Sequence, residues 1–178
     1  KTNRLDVSLF CLDVPPTELN FLPHCHDIGS QYESSDYDLV IALDYGDFKR
    51  TGIALDSLSE NMALITIDHH VRGNHKGNIQ IVDSSFSSTA EMIYHFFNEN
   101  NLEIDEEIAT CLLTGIFTDT GGFRHANTSG DVLDVAGDLC AKGGDMDIIN
   151  RRCEAMDIGG HLDLMGEVLM KVELKEES

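Results

Sequence analysis

The stretch Asp38-Leu39-Val40-Ile41-Ala42-Leu43-Asp44 sets an apolar run between two aspartates, and Met62-Ala63-Leu64-Ile65-Thr66-Ile67-Asp68 repeats the arrangement. Such runs are too short for a confident helix, and their lack of polar alternation reads as strands buried on both faces, as in a parallel sheet. Ile79-Gln80-Ile81-Val82-Asp83 is a third version, so three successive strands close on Asp. Working back, Leu5 to Phe10 is β-rich and Val14-Pro15-Pro16 breaks it. Working forward, the period changes from strand to helix. Ser87-Ser88-Thr89-Ala90-Glu91 reads as an N-terminal cap, after which Ala90, Ile93, Tyr94 and Phe97 share one helix face. A second helix is expected from Asp105 to Thr118, with Ile108, Cys111, Leu112, Gly115 and Ile116 on one side. A third follows Thr128-Ser129, buries Val132, Val135, Ala136 and Leu139, and stops at Gly143-Gly144. A shorter helix spans Met146 to Glu154, and a last amphipathic stretch carries Leu162, Met165, Leu169 and Val172. The fold class is α/β, a parallel sheet with flanking helices.

Composition narrows the function classes. The 178 residues are 42% hydrophobic and 25% charged with only 3 Pro, which excludes a disordered or low-complexity chain. Lys and Arg number 12 against 32 Asp and Glu, a net charge of −20. Duplex-binding proteins need a basic stripe to displace counterions from phosphates, and this chain has none. A small phosphorylated substrate held through metal ions stays open. The five cysteines (Cys11, Cys25, Cys111, Cys140, Cys153) are odd in number, scattered, and without a CxxC pair. They read as free thiols of a reducing, cytoplasmic setting rather than a disulfide framework or thiolate zinc site. No apolar run is long enough for a membrane span.

Ligands of open parallel sheets bind beyond the carboxyl ends of the strands, which puts Asp44 and the triplet Asp68-His69-His70 on the functional edge. An Asp-His-His triplet closing a strand is either a metal site or a polar loop, and Asp44 on a second strand end adds weight to the metal. Asp119, in Thr118-Asp119-Thr120-Gly121-Gly122, is a further candidate, with a helix-end turn as its plain alternative. Carboxylates and imidazoles without thiolates suit Mn²⁺, Mg²⁺ or Fe²⁺. Two such ions about 3.5–4 Å apart activate water and stabilise the leaving oxygen in phosphoester hydrolysis, and Asp44 is placed to bridge them. Arg72, Lys76 and Arg124 flank these ligands and could meet substrate phosphates, or be solvated loop charges. His75 and His125 read as surface histidines, His95 as structural, and Lys49-Arg50 as a surface pair at a helix start.

The motifs Leu39–Asp44, Asp68-His69-His70, Ser87–Glu91 and Thr114–Arg124, continuing through Asn127-Thr128 and Ile149–Arg152, resemble in order those of the DHH phosphoesterase superfamily. The nanoRNase/pAp-phosphatase branch, with RecJ-like and exopolyphosphatase-like kin, is the nearest in pattern. The resemblance implies a dinuclear, usually manganese, phosphoesterase acting on short oligonucleotides or 3′,5′-bisphosphorylated nucleotides. In it Asp44 bridges two ions, and His69 and Asp119 complete the second ion's shell. His70 faces the scissile phosphate as acid or phosphate ligand, and Asp68 orients the neighbouring imidazole.

Two departures accompany the likeness. The family's first motif, a His followed by Asp-x-Asp, has no counterpart before Leu5, and His24-Cys25-His26-Asp27 imitates it only superficially. The second domain's Gly-rich His motif is absent too, and Gly159-Gly160-His161 sits where the interdomain connector belongs. The expectation is thus a catalytic domain over residues 1–157, missing the first strand-helix unit, then a helical connector over 158–178. With part of the dinuclear shell, the chain is expected to be a low-activity fragment with one weak metal site, free of membranes and able to form a homodimer. The alternatives are a non-catalytic nucleotide- or partner-binding domain, and a pyrophosphatase or cyclic-dinucleotide phosphodiesterase of the same superfamily.

Overall fold

A computed structural model of the chain describes residues 6–31, 37–54, 56, 58 and 62–153. Its strands pair only in parallel, in two sheets. Strands β1 (Leu9–Phe10) and β2 (Ile28–Gly29) form a short ribbon, and β3 (Leu39–Leu43), β4 (Ala63–Asp68) and β5 (Ile79–Val82) form a sheet in that order. The apolar runs therefore become strands almost to the residue, although only the last two residues of the Leu5–Phe10 segment are strand and Leu5 lies outside the described residues.

Register decides what the sheet buries. Leu39, Ile41 and Leu43 pair with Ala63, Ile65 and Ile67, and Ile65 and Ile67 pair in turn with Ile79 and Ile81. Side chains alternate faces along a strand, so these apolar residues share one face. Leu39, Ile41 and Leu43 are 45–54% exposed there, as are Ile79 and Ile81. The expectation of strands buried on both faces thus fails for β3 and β5. An unbroken apolar run shows that both faces are apolar, not that something packs on each. The opposite face carries Val40, Ala42 and Leu64 into a small core with Tyr45 and Phe48 from the turn after β3. A cleft of about 500 Å³ runs between the two sheets, lined by Phe10, Cys11, Leu12 and the length of β3, and ends at Asp44.

The larger core lies among helices α1 (Thr89–Glu99), α2 (Glu106–Asp119) and α3 (Gly130–Ala141), with residues 146–153 also helical. Ser88, Asp105 and Ser129 cap them, each side chain accepting the amide three residues on. Glu91 reinforces the start of α1, its carboxylate accepting the amide of Ser87, the residue before the cap, at 2.6 Å. The face expected for α3 is the one buried. Of the face expected for α2, Leu112 and Ile116 are buried while Ile108, Cys111 and Gly115 are only partly so; Ala109, Leu113 and Phe117 are buried instead, because both α1 and α3 pack on the helix. Leu113, Ile116, Leu139 and Ile149 are fully enclosed. α3 ends before Gly143, whose φ of 101° only glycine adopts without strain. The proposed connector and Gly159-Gly160-His161 lie outside the described residues. Among the described residues no helix is long and apolar enough to cross a membrane.

Candidate metal centre

Four chain ends meet at the carboxyl edge of the β3–β4–β5 sheet: the ends of β3 and β4, the start of α1 and the end of α2. The three strand-closing aspartates have diverged in use. Asp83 is exposed and takes the Ser85 amide at 2.9 Å, a turn role. Asp44 is partly exposed in a left-handed conformation (φ 53°), and its Oδ1 accepts the Thr89 hydroxyl at 2.8 Å. Asp68 is fully enclosed. Its Oδ1 accepts the His70 amide at 2.9 Å and His70 Nδ1 at 2.8 Å, and its Oδ2 accepts the Gly46 amide at 2.7 Å. Burial pushes the Asp68 carboxyl up, but these donors outweigh it and hold the group below the ordinary carboxylate value.

His69 Nε2 stands between two carboxylates, 3.5 Å from Asp44 Oδ1 and 3.6 Å from Asp119 Oδ2. Two ligand atoms each about 2.1 Å from one ion, at tetrahedral or octahedral angles, lie about 3.0–3.4 Å apart. The observed spacings are close to that. Asp44, His69 and His70 offer ligand atoms within 4.8 Å of one another. His70 Nδ1 is already engaged by Asp68, so its unengaged ring nitrogen is Nε2. Asp119 joins this group through His69. Burial, and then repulsion from Asp44, raise the Asp119 carboxyl above its ordinary range, with His69 and His70 opposing. The α2 carboxyl terminus beside Asp119 adds a partial negative charge. Two carboxylates, an imidazole and a helix C-terminus together are a candidate site, of the donor chemistry that suits a hard divalent cation.

The structure therefore brings Asp44, Asp68, His69, His70 and Asp119 together. Arg124 is exposed and its Nε bonds the Gly121 carbonyl of its own turn at 2.6 Å, and Arg72 is exposed. The His24–Asp27 pair makes its own 2.7 Å contact at the surface, away from these ligands in the fold's β1–β2 ribbon. His95 behaves structurally, its ring against Phe86 and Tyr94. His75 corrects the reading of a surface histidine: its side chain is 8% exposed and its Nε2 is 3.3 Å from Asp68 Oδ2. Sequence reasoning also missed Thr89 as a partner of Asp44. It missed the clasp of Asn127 too, whose Nδ2 donates to the Ser87 carbonyl at 3.0 Å and the Asp119 carbonyl at 3.3 Å. The cap motif and Asn127-Thr128 were visible signals, but spacing alone does not say which ends they join.

Fold and site define an α/β domain with a carboxylate–imidazole cluster, a candidate cation site, at the carboxyl edge of a parallel sheet. Comparison with known proteins gives the family. Residues 5–116 match the DHH family, N-terminal domain, and the chain belongs to that family. A bifunctional oligoribonuclease and PAP phosphatase NrnA of Thermus thermophilus is 34% identical over 160 residues, 89% of this chain and 48% of that protein. A probable manganese-dependent inorganic pyrophosphatase of Enterococcus faecalis is 26% identical over 152 residues, 80% of this chain and 46% of that protein. An exopolyphosphatase-related protein of Bacteroides fragilis, of known crystal structure, superposes with a TM-score of 0.80 at 27% identity over 94% of this chain and 53% of that one. The chain spans about half the length of the relatives it matches.

Proposed function

We propose that this chain carries the catalytic residues of a manganese-dependent phosphoesterase acting on short oligonucleotides or 3′,5′-bisphosphorylated nucleotides, in a cytoplasmic setting. The observation that carries the reading is His69 Nε2 set between Asp44 and Asp119 at ion-sharing distances. The named activities of relatives and the all-thiol state of the five cysteines support it. Divalent ions bound there supply Lewis acidity, lowering the pKa of water and offsetting charge on the departing oxygen. Asp44, His69 and Asp119 would hold the cation, and Asp44 is the residue that would be shared with a second ion in a complete dinuclear site. Thr89 steadies Asp44 by donating to Oδ1, the oxygen that faces His69. Asp68 fixes the His70 ring through Nδ1 and so turns Nε2 to the substrate; with both nitrogens protonated the ring would donate from Nε2 to a phosphate oxygen or to the leaving group. Arg124 and Arg72 serve the outer phosphates, and residues 1–157 make up the catalytic unit. With only part of a dinuclear shell among the described residues, this chain binds one ion weakly and turns over little, as a monomer or homodimer.

Calorimetric titration with Mn²⁺ tests the reading. One ion per chain is expected, lost in Asp44→Ala and in His69→Ala. A panel of a diribonucleotide, a 3′,5′-bisphosphorylated adenosine, pyrophosphate and a cyclic dinucleotide then identifies the substrate class. Nucleotide binding indifferent to both chelator and Asp44→Ala would replace this reading with a non-catalytic binding module.

A further inference from the structure

Asp68 is the hub through which two loops hold the site. Gly46 follows Asp44, and its amide ends on Asp68 Oδ2. His70 ends on Oδ1 through both backbone and ring. A third residue, His75, approaches Oδ2 from the loop between β4 and β5. Its side chain is almost wholly enclosed, its ring lies 5.5 Å from that of Tyr45, and its buried Nε2 has no well-aligned hydrogen bond. The Asp68 Oδ2 oxygen lies 3.3 Å from that nitrogen. Burying an imidazole nitrogen unpaired is costly, so one facing an ionised carboxylate carries a proton and donates it. Functional-site hydrogen bonds are often long and poorly aligned before ligands bind.

The loop bearing His75 is fastened independently. Lys76 donates its amide to the Tyr45 hydroxyl at 3.0 Å, Thr66 Oγ1 donates to the Lys76 carbonyl at 2.6 Å, and the Phe48 amide reaches the Asn74 carbonyl at 3.2 Å. His75 is therefore delivered to Asp68 by backbone it does not itself hold in place. A side chain there could be apolar if filling space were its only task, since Tyr45 and its neighbours form an apolar pocket.

We infer that His75 is a positioning residue: it donates from Nε2 to Asp68 Oδ2 and so orients the carboxylate whose other oxygen holds His70 in its Nδ1–H form. The inference rests on the reading of His70 as the group facing the phosphate. His75 itself touches neither ion nor substrate. Partners one step removed from a site typically change its performance about 10–100-fold when lost.

Nitrogen-15 NMR of histidine rings in the metal-free chain, at about pH 8 where ordinary histidines are neutral, provides the test. In the wild type, His75 is expected protonated at Nε2 and His70 protonated at Nδ1, each as a single species. A His75 protonated at Nδ1 alone overturns the inference without any variant. In His75→Phe, which keeps a ring against Tyr45, His70 is expected to become a mixture of both tautomers, while His75→Gln, which restores an N–H, returns it to one. His70 unchanged in a folded His75→Phe overturns the proposal, as does failure of rescue by a folded His75→Gln. Mn²⁺ affinity separates the two readings. It should stay within about 3-fold of wild type in His75→Gln, and its absence from the wild type would sink the functional reading while the tautomers still judge His75.

Discussion

Gly73→Ala probes the seam between the two loops that carry the ligands. A Cβ on Gly73 would overlap the Gly46 carbonyl oxygen outright and lie 2.7 Å from its carbon. The obstacle is backbone, so no rotamer change relieves it, and the 45–48 turn must move away from the 69–76 loop. Gly73 has no positive φ, whereas Gly46 does (63°), and a Cβ on Gly46 would meet only Arg50 and His70 at 3.8 Å. The pair separates crowding from backbone strain. Overpacking against an unyielding neighbour costs about 1–3 kcal/mol. A left-handed alanine costs roughly 1–2 kcal/mol, offset by about 0.4–1 kcal/mol from the stiffer unfolded chain. For a domain of this size each 1 kcal/mol is worth about 2–4 °C in melting temperature. With the same offset, Gly73→Ala should melt up to about 10 °C lower and weaken Mn²⁺ binding, because Asp44 shifts relative to His69. Gly46→Ala should lose at most about 6 °C. Thermal and urea unfolding with calorimetric Mn²⁺ titration read both effects. Gly73→Ala with unchanged stability and affinity, or Gly46→Ala as the more damaging of the two, would refute the packed seam.

Three further outcomes follow from the site and core. Asp119 is raised by burial and by Asp44, so its ionised form opposes folding: that penalty is absent below the ordinary 3.8 and grows as pH rises through the raised folded value. Asp119→Asn should thus stabilise the metal-free chain at neutral pH while abolishing Mn²⁺ binding, and a destabilised, metal-competent variant would contradict this. Asp68 has the opposite sign, its folded value lying below 3.8, so its contribution is present above 3.8 and is lost as pH falls through the folded value. Asp68→Asn, which strands buried amide donors, should cost about 2–4 kcal/mol at neutral pH, with the gap to wild type narrowing in acid unfolding below 3.8. Leu113→Ala, at a fully enclosed position, should cost about 2–5 kcal/mol by urea unfolding, and a loss under 1 kcal/mol would place the core elsewhere.

Much of this was legible because period and caps are local. The strand ends at Asp44 and Asp68, the caps Ser88 and Ser129, and the buried face Val132-Val135-Ala136-Leu139 all follow from short-range chemistry written in consecutive residues. Burial of the sheet was not, because Leu39, Ile41 and Leu43 look the same whether or not something covers them. His75 was misread for a related reason. A histidine among Gly, Asn and Lys has a surface composition, and only the parallel pairing of β3 with β4 brings its loop over Asp68. The clasp of Asn127 on Ser87 and Asp119 joins residues far apart in the chain, which no local pattern reports.

Crystals of the chain soaked in Mn²⁺ and measured at the manganese absorption edge test the central claim most directly. The account predicts an anomalous peak within bonding distance of Asp44, His69 Nε2 and Asp119 together. A peak that leaves out Asp44 or His69, or manganese bound only to surface carboxylates, would contradict it.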